Sequence, residues 1–562
     1  MQIYKNDDLY QAIIELNIVD KQILDDLFQT CKEKRIPLGG LLLDRDHISD
    51  ENLGKIIADL LNLPFISLSQ IHIDKNILKL VPKEVAEKHQ IIPFKLDDKT
   101  LHLVMADPND IVQLDFLRKK LNGIQIKIYF STKRDISNTL SVYLEDVDKI
   151  FKQIISEYAL AVKKSDNIDP PIIKIVNTII NYAYQSRASD IHIEPTEHNS
   201  QVRFRIDGIM KDVVDFNIDL HEQIVTRIKV IAKLQIDEHF AAQDGKIHID
   251  LKDERLDIRV SVMPITRGEK IVMRLLSEKA RRFTLQTLGF SESDLEKTSN
   301  ALQKPHGMIL ATGPTGCGKT TTLYSILKIL NKRDVNITSI EDPVEYDIEG
   351  CNQIQVNLKT DLTFAKGLRS VVRQDPDIIF VGEIRDTETA DIAVNSAMTG
   401  HLLLSTMHTN DASTSIPRLI DMEIEPFLIA SSINLIIAQR LVRQICPKCK
   451  VSKMVEVDKI SSYSKLPKEL IEKHFGNKKT IRIYEGKGCP VCHQTGYQNR
   501  IGIFEVLVID DKIRELIVGK KNASVIKKAA MEASMTTILD DGLRKAMQSI
   551  TTIDEVLRVA QE

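Results

Sequence analysis

Six nearly unbroken apolar residues, GMILAT from Gly307 to Thr312, are followed by a glycine-rich break. Beyond it, Leu323, Ile326, Leu327 and Leu330 recur at i, i+3, i+4 and i+7. The first pattern predicts a buried strand and the second a helix with one buried face. The alternation continues downstream. NITSI precedes Glu341, and Ile378 to Val381 form a short apolar run ahead of Gly382-Glu383. Strand and helix patterns in turn predict an α/β unit with a parallel sheet from about Arg281 to the end. Helical spacing closes the chain in KIRELIVGK and TIDEVLRVAQE.

Upstream the period changes. From about Pro170 to Leu276, IIKIVNTIINYAYQSRA reads as an amphipathic helix after a proline pair. QVRFRIDGIMKDVV alternates about Asp207-Gly208, the signature of a hairpin. Val202, Phe204 and Ile206 then share one face, and Arg203 and Arg205 share the other. RLDIRVSVMP and EKIVMRLL predict further strands. Residues 1–145 mix helical spacing with short strands. ISDENLGKIIADLLNLPF predicts a helix capped by Ser49, and KTLHLVMADPND a strand and turn. Residues 146–169 are charged and weakly patterned and predict a linker. The expected order is a domain at 1–145, a linker at 146–169, a second domain at 170–280 and an α/β domain at 281–562.

Composition narrows this picture. A chain of 562 residues exceeds one hydrophobic core. Its 43% apolar and 28% charged content is that of an ordinary globular protein. Seventy-six basic against 79 acidic residues give −3, which argues against a nucleic-acid binder over its whole surface. MQIYKNDDLY lacks the apolar core of a secretory signal. No apolar run approaches the roughly 18 residues of a membrane span. The expectation is a cytoplasmic protein that meets a membrane only through partners. Of seven cysteines, Cys31, Cys317 and Cys351 are scattered. Cys446, Cys449, Cys489 and Cys492 form two CxxC pairs, four thiolates suited to a structural Zn²⁺.

The break after GMILAT carries chemistry. Gly313-Pro314-Thr315-Gly316-Cys317-Gly318-Lys319-Thr320-Thr321 contains a complete G-x-x-x-x-G-K-[ST] pattern between a strand and a helix. Such a loop wraps backbone N–H groups around phosphates at a helix N-terminus. Lys319 would reach the β- and γ-phosphates of ATP, and Thr320 would help hold Mg²⁺. Glu383, at the end of a buried strand, suits the hydrated Mg²⁺. Glu341, opening SIEDPVEY, suits the orientation of an attacking water.

At this point the chain resembles a known family, the type II secretion and type IV pilus assembly ATPases (the GspE/PilB branch of the secretion ATPase superfamily). GPTGCGKTTTLY is similar to its Walker A, SIEDPVEY to its Asp box and GLRSVVRQDPDIIFVGEIRD to the passage into its Walker B. TGHLLLSTMHTNDA is similar to its His box, and ASDIHIEP, VRFRIDG, QDGKI and DIRVS to its second N-terminal domain. AQRLVRQICPKCK and GCPVCHQTGYQNRIGIFEVL are similar to its cysteine module. The resemblance implies a RecA-like P-loop ATPase domain, a PAS-like α+β second domain, a small α/β N-terminal domain and an inserted four-cysteine zinc subdomain at about 441–500. It implies a homohexamer at the inner face of the bacterial inner membrane, with a membrane platform protein and a docking protein as partners. Glu341 would be the general base and Glu383 the Mg²⁺ residue. Arg203, Arg205, Arg369 and Arg373, with Arg440 behind them, would meet phosphate charge. His401 and His408 would couple nucleotide state to the subunit boundary.

The chain also departs from that family. His239-Phe240-Ala241-Ala242 stands where a basic pair and a proline are usual, Val262 where Thr is usual, and Lys366 where Arg is usual. In the N-terminal domain, Pro37 precedes Leu38-Gly39 where cyclic di-GMP-binding relatives have Arg, and Leu60 stands near where they have a glutamine, which favours protein docking over cyclic di-GMP binding. A nucleic-acid translocase on the same core and a non-catalytic ATP sensor are the alternatives. Cys317 replaces a usual Ser. One reading makes it a tolerated swap in a loop that works through its backbone. Another makes it an oxidisable thiol, its pKa lowered by Lys319 and the helix N-terminus.

Overall fold

The structure is a computed structural model. It describes residues 4–140, 171–250, 255–277, 283–457, 466 and 468–560, less 17, 35, 45–46, 49, 69–70, 72, 79, 122, 477, 490–491 and 493. The expected linker at 146–169 and the expected cap Ser49 lie outside the described residues. The chain divides into two units: residues 1–278 with 447–449 and 488–494, and the remainder from 279 onward.

The first unit holds two kinds of core. Near the start, helices Asn6–Leu16, Lys21–Lys34 and Asp50–Leu60 bury Leu9, Ile13, Leu24, Leu27 and Leu53. A three-stranded sheet follows: β1 (Ile91–Asp97), β2 (Thr100–Met105) and β3 (Gln125–Phe130), in that order. The second core is an antiparallel sheet of β4 (Ala188–Pro195), β5 (Asn199–Ile206), β6 (Ile209–Asn217), β7 (Gln243–Asp250), β8 (Arg255–Ile265) and β9 (Gly268–Ser277). Its order is β6-β5-β4-β9-β8-β7. Helices Ile172–Gln185 and His221–Ala232 cover the face that carries Ile191, Ile193, Val202 and Phe204. The β5–β6 hairpin turns at Asp207 (φ 50°) and Gly208 (φ 88°). Two successive positive φ values match the right-handed twist of the flanking strands.

The second unit is built on a seven-stranded sheet. Its strands are β10 (Gly307–Thr312), β11 (Ile337–Glu341), β12 (Cys351–Gln355), β13 (Ile378–Val381), β14 (Leu402–Met407), β15 (Ile433–Ile445) and β18 (Tyr497–Val508). The order is β12-β11-β13-β14-β10-β15-β18, parallel except for the antiparallel edge strand β18. Helices lie on both faces, so the central strands are apolar throughout rather than alternating. All six residues of β10 and all four of β13 are buried. Between β15 and β18 the chain leaves the sheet for an antiparallel pair, β16 (Lys450–Glu456) and β17 (Thr480–Gly486). The cysteine-bearing segment is thus an insertion between two neighbouring strands of the main sheet. Among the described residues no helix is long and apolar enough to cross a membrane.

Candidate active site

In an open parallel sheet, ligands bind beyond the carboxyl ends of the strands. There β10 runs into the phosphate loop, and helix Lys319–Leu330 begins immediately after it. Gly313 (φ 144°) could carry no side chain, because a Cβ would lie 2.5 Å from the Gln439 carbonyl and 2.7 Å from Cys317 Sγ. Pro314, Thr315 and Gly316 form an exposed rim, whereas Cys317 and Lys319 are buried beneath it. Lys319 Nζ donates to the carbonyls of Gly313 (2.8 Å) and Pro314 (3.1 Å). Burial pushes the Lys319 pKa down, and the neighbouring Glu383 charge opposes that shift. The lysine is therefore parked on its own loop, half-satisfied and poised for a stronger anionic acceptor.

Residues outside the loop hold it in shape. Gln439 on β15 donates through Nε2 to the Cys317 carbonyl (2.7 Å) and accepts through Oε1 from Thr322 Oγ1 (2.7 Å). One side chain thus ties loop to helix. Arg440, the next residue, is buried and donates to the carbonyls of Gln439 (3.1 Å) and Asn410 (2.8 Å). Its place is against the loop's backbone. Thr312 Oγ1 accepts from the Thr409 N–H (3.1 Å), which fastens the end of β10 to the segment after β14.

The two acidic residues sit on strands next to each other. Glu383 follows β13, and Glu341 ends β11. A Cβ on Gly382 would lie 3.3 Å from Glu341 Cα. Glu383 is buried, and its carboxylate meets Arg385 (2.6 Å) and His408 Nε2 (3.3 Å). Glu341 is 2% exposed. It accepts from Ser339 Oγ (2.6 Å), Gln353 Nε2 (3.1 Å) and the Tyr324 hydroxyl. Burial and the Glu341 charge push the Tyr324 pKa up, so its phenol remains a proton donor. Ser339 and Gln353 share Oε1 and Tyr324 holds Oε2, so three donors fix the carboxylate and Oε2 keeps acceptor capacity for a water.

The histidines separate. His408 lies beyond the carboxyl end of β14, beside Glu383. His401 precedes the other end, where its Nδ1 meets the Ser396 carbonyl (2.9 Å) and its own carbonyl accepts from Gly307 N–H (3.1 Å). Six strand residues, about 20 Å, stand between the two rings. The arginines after the Asp box also stay off the loop of their own chain. Arg369 pairs with Glu388 (2.8 Å), and Arg373 donates to Ser370 Oγ (3.3 Å). Both are on an exposed surface.

In the first unit, Arg203 and Arg205 belong to a charged face on β4, β5 and β9. Arg203 pairs with Glu194 (2.5 Å), and Arg205 lies 3.6 Å from Asp190. Lys270 (2.7 Å to Glu194) and Arg274 (3.0 Å to Asp190) complete it. Burial lowers the His192 pKa in their midst, and nearby Lys270 adds to that. Two acids serve four cations on this face, which leaves it rich in positive charge.

Cys317 corrects one expectation. It is 4% exposed, and burial raises its pKa; Lys319 and Arg440 pull the other way without reversing the shift. A buried thiol held protonated is a poor target for oxidants.

The four cysteines come together. Their sulfurs lie within 4.8 Å of one another, with Cys449–Cys492 at 3.8 Å and Cys489–Cys492 at 3.6 Å. A disulfide would need about 2.05 Å. A tetrahedron of Zn–S bonds of about 2.3 Å has edges of roughly 3.8 Å. The donor set and spacing therefore fit a closed, structural zinc site.

Comparison with known proteins agrees with this arrangement. The family described as Type II/IV secretion system protein matches residues 165–558, and the MshEN domain matches residues 61–148. The chain is 38% identical over 562 residues to the type IV pilus assembly ATPase PilB of Myxococcus xanthus, covering 98% of each. It is 46% identical over 394 residues to the type II secretion system protein E of Pseudomonas aeruginosa, covering 70% of this chain and 76% of that one. The ATPase DotB of Yersinia pseudotuberculosis shares the fold, with a TM-score of 0.51 at 18% identity over 69% of this chain and 93% of that one.

Proposed function

The chain belongs to the Type II/IV secretion system protein family, and from that premise we propose that it is a hexameric ATPase motor that drives growth of a pilus or secretion pseudopilus. It would work at the cytoplasmic face of the inner membrane against a platform protein, recruited there by a docking protein. The observation that carries the reading is the meeting of Lys319, Glu383 and Glu341 at the carboxyl ends of the sheet.

The mechanism follows from what each residue must give up. Lys319 leaves the carbonyls of Gly313 and Pro314 for the β- and γ-phosphates. The loop N–H groups and the helix N-terminus receive the remaining phosphate oxygens. Thr320 and Glu383 are hard oxygen donors that suit Mg²⁺, which when bound would neutralise phosphate charge. Glu341, aimed by Ser339, Gln353 and Tyr324, orients the attacking water. The water oxygen bonds to the γ-phosphorus, the bond to the β–γ bridging oxygen breaks, and ADP and phosphate leave. Positive charge is needed against the developing negative charge. Arg203, Arg205 and Arg369 each hold a carboxylate already. Phosphate, from their own or a neighbouring subunit, would replace it, with Arg373 beside Arg369. His401 would act at the subunit boundary, and His408 through Glu383. Zinc on Cys446, Cys449, Cys489 and Cys492 would hold the docking segment without doing chemistry.

The test is steady-state ATP turnover by the full chain and by Lys319→Ala. Turnover in the parent and its loss in the variant are expected. Equal rates would end the reading, and a many-fold stimulation by DNA would replace it with a nucleic-acid translocase.

A further inference from the structure

Far from the phosphate loop in sequence, a lysine reaches the segment that joins the loop to Glu383. Lys527, on helix Ala523–Glu532, places Nζ 3.0 Å from Asp411 Oδ2 and 3.6 Å from Glu505 Oε2. Glu505, on β18, is 1% exposed. Its other oxygen accepts from the Ala412 N–H (3.1 Å). Burial raises the pKa of this carboxyl, and a partner cation and hydrogen bonds favour its charged form. Lys527 supplies the cation.

Both anions meet the far end of residues 408–412: Asp411 belongs to it, and Glu505 accepts from Ala412. In those five residues His408 meets Glu383 at 3.3 Å. Thr409 binds Thr312 through its N–H (3.1 Å) and carbonyl (3.0 Å) and binds Ser415 through its hydroxyl (2.7 Å). The Asn410 carbonyl accepts from Arg440 (2.8 Å). Asp411 caps the following turn by accepting from the Thr414 N–H (2.9 Å). The segment therefore touches the end of β10, Glu383 two residues beyond β13, and the buried arginine beside the loop. Its far end is fixed by Lys527.

We propose that Lys527 is a positioning residue for ATP hydrolysis, acting through Asp411 and Glu505 to hold residues 408–412 so that His408 keeps Glu383 in place. It touches no nucleotide. It would also let a displacement of the C-terminal helices reach the Glu383 carboxylate, so that mechanical state and hydrolysis share one link. The inference rests on the ATPase reading above.

The experiment compares ATP turnover, KM and thermal midpoint in the full chain for Lys527→Met, Lys527→Arg and the double variant Lys527→Met/Glu505→Gln. The glutamine keeps an acceptor for Ala412 while removing the buried charge, so the double variant restores folding without restoring the tether to Asp411. We expect Lys527→Met to lower the midpoint and to cut kcat by roughly ten- to a hundredfold, the scale for a displaced catalytic group, with KM within about twofold. Lys527→Arg should recover most of kcat. The double variant should regain the midpoint and stay slow; it carries the test if Lys527→Met fails to fold. Parental kcat in the double variant, or in Lys527→Met itself, would overturn the proposal. A parent chain that hydrolyses no ATP would instead overturn the reading on which it rests.

Discussion

Removing one buried carboxylate near the end of the chain should loosen the strand that leads into the cysteine segment. Glu555, 2% exposed on helix Ile553–Ala560, faces the carboxyl end of β15. Its oxygens accept from Arg443 N–H (3.1 Å), Nε (3.0 Å) and Nη2 (2.7 Å), and from Arg558 Nε (3.0 Å) and Nη2 (2.8 Å). Burial alone would raise this carboxyl, but the bonds from Arg558 and Arg443 override it and bring the pKa from 4.5 to about 2. At 1.36 kcal/mol per pKa unit, the ionised form is favoured in the fold by about 3 kcal/mol. The folded pKa is depressed. The contribution is therefore complete above the unfolded value of 4.5 and is lost as pH falls towards 2.

Glu555→Gln mimics the protonated acid. Amide hydrogen exchange over β15 and the last helix reads its effect locally, which suits a chain with more than one core. At pH 7 the opening free energy should fall by about 3 kcal/mol, roughly a hundredfold loss of protection. At pH 3 the unfolded carboxyl is nearly all protonated while the folded one is still mostly ionised, so the parent–variant gap should narrow to about 1.4 kcal/mol. Unchanged protection at pH 7, or the same gap at both pH values, would refute the assignment of this stability to the ionised carboxylate.

Two further outcomes follow from the cysteines. Cys317→Ser should turn over ATP at the parental rate to within about twofold, because the loop works through its backbone and the thiol is buried and protonated; mild peroxide should affect parent and variant alike, and selective protection of the variant would restore the redox reading. Protein purified without chelator should carry about one zinc per chain, and Cys489→Ser should lose most of it; metal analysis well below one zinc in the parent would count against a structural site.

Much of this unit was legible because its chemistry is written in short, local words. The phosphate motif spans nine residues, six between a strand and a helix and three in that helix's first turn, and each acid sits at or just beyond the end of an apolar run. The structure put strand, loop and helix where the periodicity expected them, and brought the two CxxC pairs to zinc-like spacing. What stayed illegible is long-range. Gln439 reaches Thr322 across 117 positions, Thr312 meets Thr409 across 97, and Lys527 meets Asp411 across 116. A glutamine or a lysine has no pattern of its own, and only the pairing of β10 with β14 and β15 creates its partner.

The same logic explains why a motif can mislead about geometry. His401 and His408 belong to one word, TGHLLLSTMHTNDA, yet a fully extended strand drives them to opposite ends of the sheet. Only His408 can feel Glu383 directly. A signal at His401 must travel along β14 or come from another copy of the chain. Arg369 and Arg373 pose the converse problem, since helical spacing of four gives them a shared exposed face without saying what that face meets. In their own chain they meet Glu388 and Ser370. Both arginines thus stand at an exposed surface, where in the proposed assembly a second subunit could reach them. Residues already folded around the loop, by contrast, keep Lys319, Glu383 and Glu341 in register. On this division the chain alone shapes the site, and in the proposed assembly a second subunit would supply the remaining positive charge.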